Sequence, residues 1–196
     1  RKFVEVRRRV EAIRVLHLVG GGEFGGAERS ILDLLRFLPP PFQPMVACFY
    51  HGRFKEALQQ NGIPCLFVPN QGRYDWRSTR ILRDLIREHG LDLIHNHGVR
   101  ANFFGRLAGR FEGKPVVTTV HSNLSLDYPE WTSRLLAWGM EYTTRPLSRH
   151  FIAVSSGIKK ELLQAGIPEV KISVIHNGID LSFWRWDPTA REHLHR

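Results

Sequence analysis

Short β-rich runs alternate with amphipathic helical runs along most of the chain, and this alternation restricts the fold more than any single motif does. A buried first strand is predicted at residues 13–19, and six further strand-like runs follow it, separated by helical stretches and loops. Strands joined by crossover helices pair in parallel, with helices on both faces of the sheet. Val, Ile and Leu dominate the strands, as expected when both faces are covered. The sequence therefore predicts an α/β fold with a parallel sheet of about seven strands.

The chain divides into three predicted segments. Residues 1–12 form a basic N-terminal segment, which is expected to be a solvated tail, and residues 13–180 form the α/β domain. After Asp180 the alternation stops, and residues 181–196 carry Trp184 and Trp186, which are unusual in a solvated end. This last segment is interpreted either as the truncated start of a linker and second domain or as a tail folded back onto its own domain.

Basic residues exceed acidic ones by 28 to 19, which gives the 196-residue chain a net charge of +9. This excess favours anionic partners such as nucleic acid, phospholipid headgroups or phosphorylated substrates. Nucleic acid is not expected, because the arginines are spread over several helices and no nucleic-acid-binding motif is present. Cys48 and Cys65 are expected to be reduced thiols in a cytosolic protein. With neither a signal peptide nor an apolar run of some 20 residues, the chain is not expected to cross a membrane.

The loop after the first strand is rich in glycine, and its glycines fit two different patterns. Gly20, Gly22 and Gly25 fit the G-x-G-x-x-G pattern of dinucleotide-binding proteins. That pattern needs an acidic residue at the end of the second strand, and "ACFYHGRF" offers none there. In the second pattern Gly25 and Gly26 precede a helix, where an anion or a polyhydroxyl ligand can approach free backbone N–H groups. A tight strand-to-helix turn is the structural alternative.

Polar residues also follow strands four, five and six. The strand ends "HNHG", "VHSN" and "VSSG" supply His95, His97, His121 and Ser155. Because the carboxyl ends of parallel strands meet at one edge of the sheet, these groups should converge on a single cleft. Three histidines could hold a metal, but no carboxylate stands beside them, so no metal site is predicted. Each histidine taken alone could instead be a structural residue.

Four segments in this order resemble a known family. "GGAE", "DLIHNHGVRANFFGRLAGRFEGKPVVTTVHS", "FIAVSSGIKKELL" and "VIHNGID" are similar to the N-terminal half of a family-4 retaining glycosyltransferase with the two-domain GT-B architecture. The resemblance covers residues 13–180. It implies a Rossmann-like, acceptor-side domain of an enzyme that moves a sugar from a nucleotide-diphosphate sugar to an acceptor. It also implies retention at the anomeric carbon, without a metal or other cofactor.

The resemblance also assigns roles to residues. It places Gly25 and Gly26 near the donor phosphates, with Glu28 orienting their loop. It matches His121 to the catalytic histidine beside the transferred sugar, where the dipole or charge of the imidazole could stabilise an oxocarbenium-like transition state. The remaining matched positions are substrate-binding residues on the cleft wall or before the second domain, namely His97, Ser155 and Asn177.

The family binds its donor in a C-terminal domain, which this sequence does not include. The chain is therefore expected to be an N-terminal fragment that is inactive alone. The alternative is a stand-alone Rossmann-like module that binds nucleotides or nucleic acid without catalysis.

A membrane surface is a further predicted partner. Relatives that build lipid-linked or envelope polysaccharides often rest on the inner face of the plasma membrane, with a lipid-linked or glycan acceptor. The segment of residues 128–150, which contains one predicted helix, combines apolar and basic residues suited to an anionic membrane surface: Trp131, Leu135, Leu136 and Trp138, with Arg134, Arg145 and Arg149. The alternative is a helix that packs on the sheet and keeps its basic ends in water.

Overall fold

The computed structural model describes residues 12–22, 24–69, 75–127 and 130–181. The strands are β1 Ile13–Val19, β2 Phe42–Cys48, β3 Cys65–Phe67, β4 Leu93–His97, β5 Val116–Val120, β6 His150–Ala153 and β7 Ile172–Val174. The helices are α1 Gly26–Phe37, α2 Arg53–Gln60, α3 Arg77–Glu88, α4 Val99–Glu112, α5 Leu124–Asp127, α6 Trp131–Thr144 and α7 Ser156–Gln164. The predictions for residues 1–11 and for Trp184 and Trp186 lie outside the described residues.

All seven strands form one parallel sheet in the order β3-β2-β1-β4-β5-β6-β7. The predicted α/β class is confirmed, and β1 has the predicted bounds. The strand order reverses between β1 and β4, which pair so that His17 lies beside His95 and Val19 beside His97. Ligands of open α/β sheets bind at the carboxyl ends of the strands beside such a reversal.

The two faces of the sheet are covered differently. One face packs against α3, α4 and α6, through a core that includes Leu16, Ile94 and Phe104. On the other face α1 and α2 cover Val19 and Val46. Because side chains alternate along a strand, His17, His95 and His97 all project from the face that carries α1.

Arg106 fixes α4 to its neighbours from inside the protein. Its side chain is fully buried, and one nitrogen lies 2.8 Å from the Glu141 carboxylate of α6. Nε donates to Ser148 Oγ at 2.7 Å, and Nη2, the nitrogen that contacts Glu141, also donates to Thr118 Oγ1 on β5 at 3.3 Å. Burial lowers the pKa of Arg106, and the charge of Glu141 opposes that shift. Such a pair stabilises only as a unit, because removing one partner leaves the other charge buried.

Helix α6 packs on the domain by one side and exposes the other. Ala137, Met140 and Thr144 are buried. No helix in the described part of the chain is both long enough and apolar enough to span a bilayer.

Candidate functional site

The glycine loop leads directly into α1. Gly25 precedes the helix, and its N–H donates to the Glu28 carboxylate at 3.1 Å. Neither Gly25 nor Gly26 has a positive φ. A Cβ added to Gly26 would meet nothing within 4 Å, and one added to Gly25 would meet only the Glu28 side chain at 3.4 Å. The packing of the protein itself therefore does not require glycine at these two positions, which leaves open space beside the first turn of α1.

The histidines after β4 and β5 lie in contact, as the convergence of strand ends predicts. His97 is the last residue of β4, and its Nδ1 lies 3.1 Å from Nε2 of His121, which directly follows β5. On the other side of His97, its Nε2 lies 3.4 Å from Nδ1 of His17. His95 is held separately, because its Nε2 is 2.7 Å from Thr119 Oγ1.

These four imidazoles are neutral at neutral pH. Burial lowers the pKa of His95 and of His121 to about 4. Burial and the neighbouring imidazoles hold the pKa of His17 and of His97 well below its usual range. At neutral pH His121 therefore offers a dipole and ring nitrogens rather than a positive charge.

His97 and His121 lie in the walls of two cavities. The first, of about 410 Å³, is bounded by α1 and by β1, β4, β5 and β6, and the imidazoles meet apolar side chains there, such as Val15 and Ile152. The second, of about 420 Å³, is more polar and includes Glu28, Asn102 and Glu141 in its lining. His97 at the end of β4 and His121 just after β5 thus border both an apolar and a polar cavity.

The other predicted site residues lie around this centre, with different degrees of contact. Asn177 lines the first cavity, and its Oδ1 accepts a hydrogen bond from Ser30 Oγ of α1 at 2.9 Å. Ser155 caps α7, accepting a hydrogen bond from the Ile158 N–H at 3.2 Å, and it is not among the residues that line these two cavities. Its contact in this structure is that of a helix cap.

His17 is the residue of the cluster that the sequence analysis missed. The signal was available, because residues 15, 17 and 19 of a strand share one face and His17 is the polar member of that set. Within the described residues, His17, His95 and His97 each offer one ring nitrogen, and these nitrogens lie within 4.8 Å of one another. Imidazole nitrogens grouped in this way are typical ligands of transition metals.

The sequence model of Glycosyltransferase Family 4 matches residues 24–183 of this chain. The chain therefore belongs to glycosyltransferase family 4. Several known proteins resemble it over most of its length.

A curated relative, the UDP-Gal:alpha-D-GlcNAc-diphosphoundecaprenol alpha-1,3-galactosyltransferase of Escherichia coli, is 26% identical over 177 residues. That match covers 86% of this chain and 46% of the relative. Crystal structures of Anabaena HepE with UDP and with UDP-glucose superpose with a TM-score of 0.74 at 25% identity, covering 93% of this chain and 50% of HepE. A glycosyltransferase from Rickettsia africae shares the fold, with a TM-score of 0.68 at 18% identity, covering 93% of this chain and 48% of that one.

The chain thus spans about half the length of these relatives. Its fold corresponds to the N-terminal half of a GT-B glycosyltransferase, in agreement with the resemblance found in the sequence.

Proposed function

We propose that this chain is the acceptor-side half of a retaining glycosyltransferase that moves a sugar from a nucleotide-diphosphate sugar to a glycan or lipid-linked acceptor. The observation that carries the proposal is the contact of His97 with His121 at the edge where the glycine loop opens. UDP and UDP-glucose are bound in HepE, and UDP-Gal is named in the Escherichia coli relative, which favours a UDP-sugar as donor. A second domain would supply most of the donor site.

The start of α1 is suited to the donor diphosphate. The first turn of a helix carries N–H groups without intrahelical partners and the positive end of the helix dipole. The open space beside Gly25 and Gly26 lets phosphate oxygens approach this turn. The Glu28 carboxylate is engaged with the Gly25 N–H, so it holds the loop in this arrangement.

His121 would contact the transferred sugar. A neutral imidazole can hydrogen-bond a sugar hydroxyl and align its dipole with the charge that develops at the anomeric carbon. The second cavity, with Glu28, Asn102 and Glu141 in its wall, offers oxygen and amide groups for acceptor hydroxyls. The chemistry assigned to these residues needs no metal.

A transfer assay tests this proposal. The two-domain enzyme should transfer sugar from one member of a panel of nucleotide-diphosphate sugars to a lipid-diphosphate-linked acceptor, with the donor's anomeric configuration kept in the product. The 196-residue chain alone should give no turnover, because it would lack the second wall of the donor site. Tight nucleotide or nucleic-acid binding by the chain alone, with no transfer by the two-domain enzyme, would instead support a stand-alone binding module.

We also propose that α6 rests on an anionic membrane surface from the cytoplasmic side. Trp131, Leu135, Trp138 and Tyr142 are exposed, at 71%, 62%, 41% and 51%. They are three or four residues apart, so they share one side of the helix, opposite to its buried side. Leu136 is half-buried and lines a third cavity, and Arg145 donates to the Ala165 carbonyl. Trp138 and Tyr142 also line the second cavity, so this surface adjoins the proposed acceptor site.

Flotation with vesicles that contain anionic phospholipid tests the role of α6. The double variant Trp131→Ser, Leu135→Ser should bind at least about tenfold more weakly, because it removes two apolar side chains from the interface. Phe111→Ser is the matched control, since Phe111 is an equally exposed aromatic on α4. Equal flotation of the double variant and the control, or no salt-sensitive binding of the unaltered chain, would exclude the membrane role.

A further inference from the structure

Three histidines form an end-to-end chain through the α1 face of the sheet. The ring centres of His17 and His97 are 5.6 Å apart, and their facing nitrogens are 3.4 Å apart. The difference is close to twice the distance from an imidazole nitrogen to its own ring centre. The two facing nitrogens therefore lie close to the line that joins the ring centres and point at one another. The two ring planes are 13° apart. His97 and His121 repeat this arrangement, with centres 5.4 Å apart and nitrogens 3.1 Å apart.

This geometry fits N–H···N hydrogen bonds rather than a bound cation. Nitrogens that coordinate one metal direct their lone pairs at a common point off the line between them. Here each nitrogen is directed at its partner, at a distance that a hydrogen bond spans, with the His17–His97 bond at its long limit. His95 lies beside the chain but uses Nε2 for Thr119.

Neutral imidazoles linked in this way cannot choose their tautomers independently. A neutral imidazole has one N–H and one lone pair, and each link needs one of each. If His17 donates from Nδ1, His97 must accept at Nε2 and donate from Nδ1 to His121 Nε2. The proton of His121 is then on Nδ1. The reverse direction puts all three protons on Nε2, so the three residues share one tautomer.

The two ends of the row of histidines, at His17 and His121, favour one of these two directions of hydrogen bonding. His17 Nε2 and His121 Nδ1 are both buried, and neither has a hydrogen-bond partner in the described structure. His17 is only 2% exposed beside apolar side chains of the first cavity, whereas His121 is half-buried and also lines the polar second cavity. An N–H without an acceptor is more costly among apolar side chains than beside a polar space. The Nδ1–H tautomer is therefore favoured, with the N–H at His121.

We propose that His17 and His97 are positioning residues that hold His121 in the Nδ1–H tautomer, with its Nε2 accepting from His97, beside the proposed sugar site. The assignment of sugar to His121 rests on the proposed function, but the shared tautomer does not. Through these linked imidazoles, a substitution at His17 changes which nitrogen of His121 carries the proton, although His17 does not contact His121.

The tautomers can be measured by long-range ¹H–¹⁵N correlation on the 196-residue chain with ¹⁵N-labelled histidine, between pH 7 and 8. The expected result is a single Nδ1–H tautomer at His17, His97 and His121. In His17→Phe the donor to His97 is lost, and His121 should become a mixture of tautomers. His17→Asn should restore the single tautomer, because the Asn amide can donate from the position of Nδ1. His150, whose Nε2 contacts Ser173 Oγ elsewhere in the sheet, is the internal reference.

Three results would overturn the proposal. The first is a different tautomer at any of the three histidines in the unaltered chain. The second is an unchanged His121 in a folded His17→Phe variant. The third is tight binding of added Zn²⁺ with loss of the N–H signals, which would show that the cluster prefers a cation. If His17→Phe does not fold, His97→Asn, which keeps only one of the two links, must uncouple His17 from His121.

Activity separates this proposal from the proposed function. In the two-domain enzyme, His17→Phe should lower kcat with little change in KM, and His17→Asn should recover it. If the three histidines share one tautomer but the two-domain enzyme transfers no sugar, the coupling of the imidazoles is supported and only the proposed function is refuted.

Discussion

His121→Ala is expected to lower kcat of the two-domain enzyme by on the order of 10²- to 10³-fold, the usual effect of removing one preorganised hydrogen-bond donor from a transition state. His121 lies at the junction of the two cavities, in contact with His97. Its loss removes the neutral imidazole that we place beside the transferred sugar, while the sheet that carries it stays the same. Steady-state kinetics with the preferred nucleotide sugar measure the effect.

A matched control separates this effect from a general loss of a histidine. His150→Ala also removes a half-buried imidazole from the sheet, but His150 contacts Ser173 and lies outside the lining of both cavities. It should keep kcat within a few-fold of the unaltered enzyme. Near-normal turnover by His121→Ala, with a normal circular dichroism spectrum in both variants, would refute the assigned role.

The free energy of unfolding is expected to fall steeply as the pH decreases from about 6.5 toward 4. His95 and His121 have a pKa of about 4 in the folded chain, against about 6.5 when unfolded. In that window the unfolded chain binds more protons, so stability is complete above pH 6.5 and decreases below it. At about 1.4 kcal/mol for each pKa unit and histidine, reduced by coupling, the loss should be about 3 to 6 kcal/mol.

Urea denaturation at a series of pH values tests this effect. His121→Asn should flatten the slope between pH 6.5 and 4.5, because it removes one of the two imidazoles whose pKa is about 4. Carboxylates contribute at lower pH, since Arg83 and Arg87 hold the pKa of Glu112 below its ordinary value. A stability that stays flat from pH 7 to 4.5 would show that the imidazoles are solvated rather than buried.

The parallel sheet and the meeting of His97 with His121 followed from the sequence. Both depend on local patterns and on one general rule, that parallel strands end at the same edge. That rule concerns strand ends and does not predict His17, because His17 lies in the middle of β1. Only the pairing register, which places His17 beside His95, shows that it belongs to the cluster.

Arg106 illustrates a second limit of sequence reasoning. On a helical pattern an arginine reads as exposed, yet Arg106 is fully buried against Glu141. The reason is tertiary, since α6 and β5 enclose this part of α4 and supply acceptors for the guanidinium. Ser155 shows the opposite case, because a strand-end serine that suits a ligand equally suits the cap of the next helix.

The most direct measurement is a map of backbone amide shifts in this chain during titration with UDP-glucose at millimolar concentration. We place one half of a nucleotide-sugar site where the glycine loop and the β4 and β5 ends meet. The predicted result is a weak, saturable perturbation concentrated at Gly25, Gly26, Glu28, His97 and His121. Perturbations confined to a distant surface, or none at these five residues while others saturate, would contradict it.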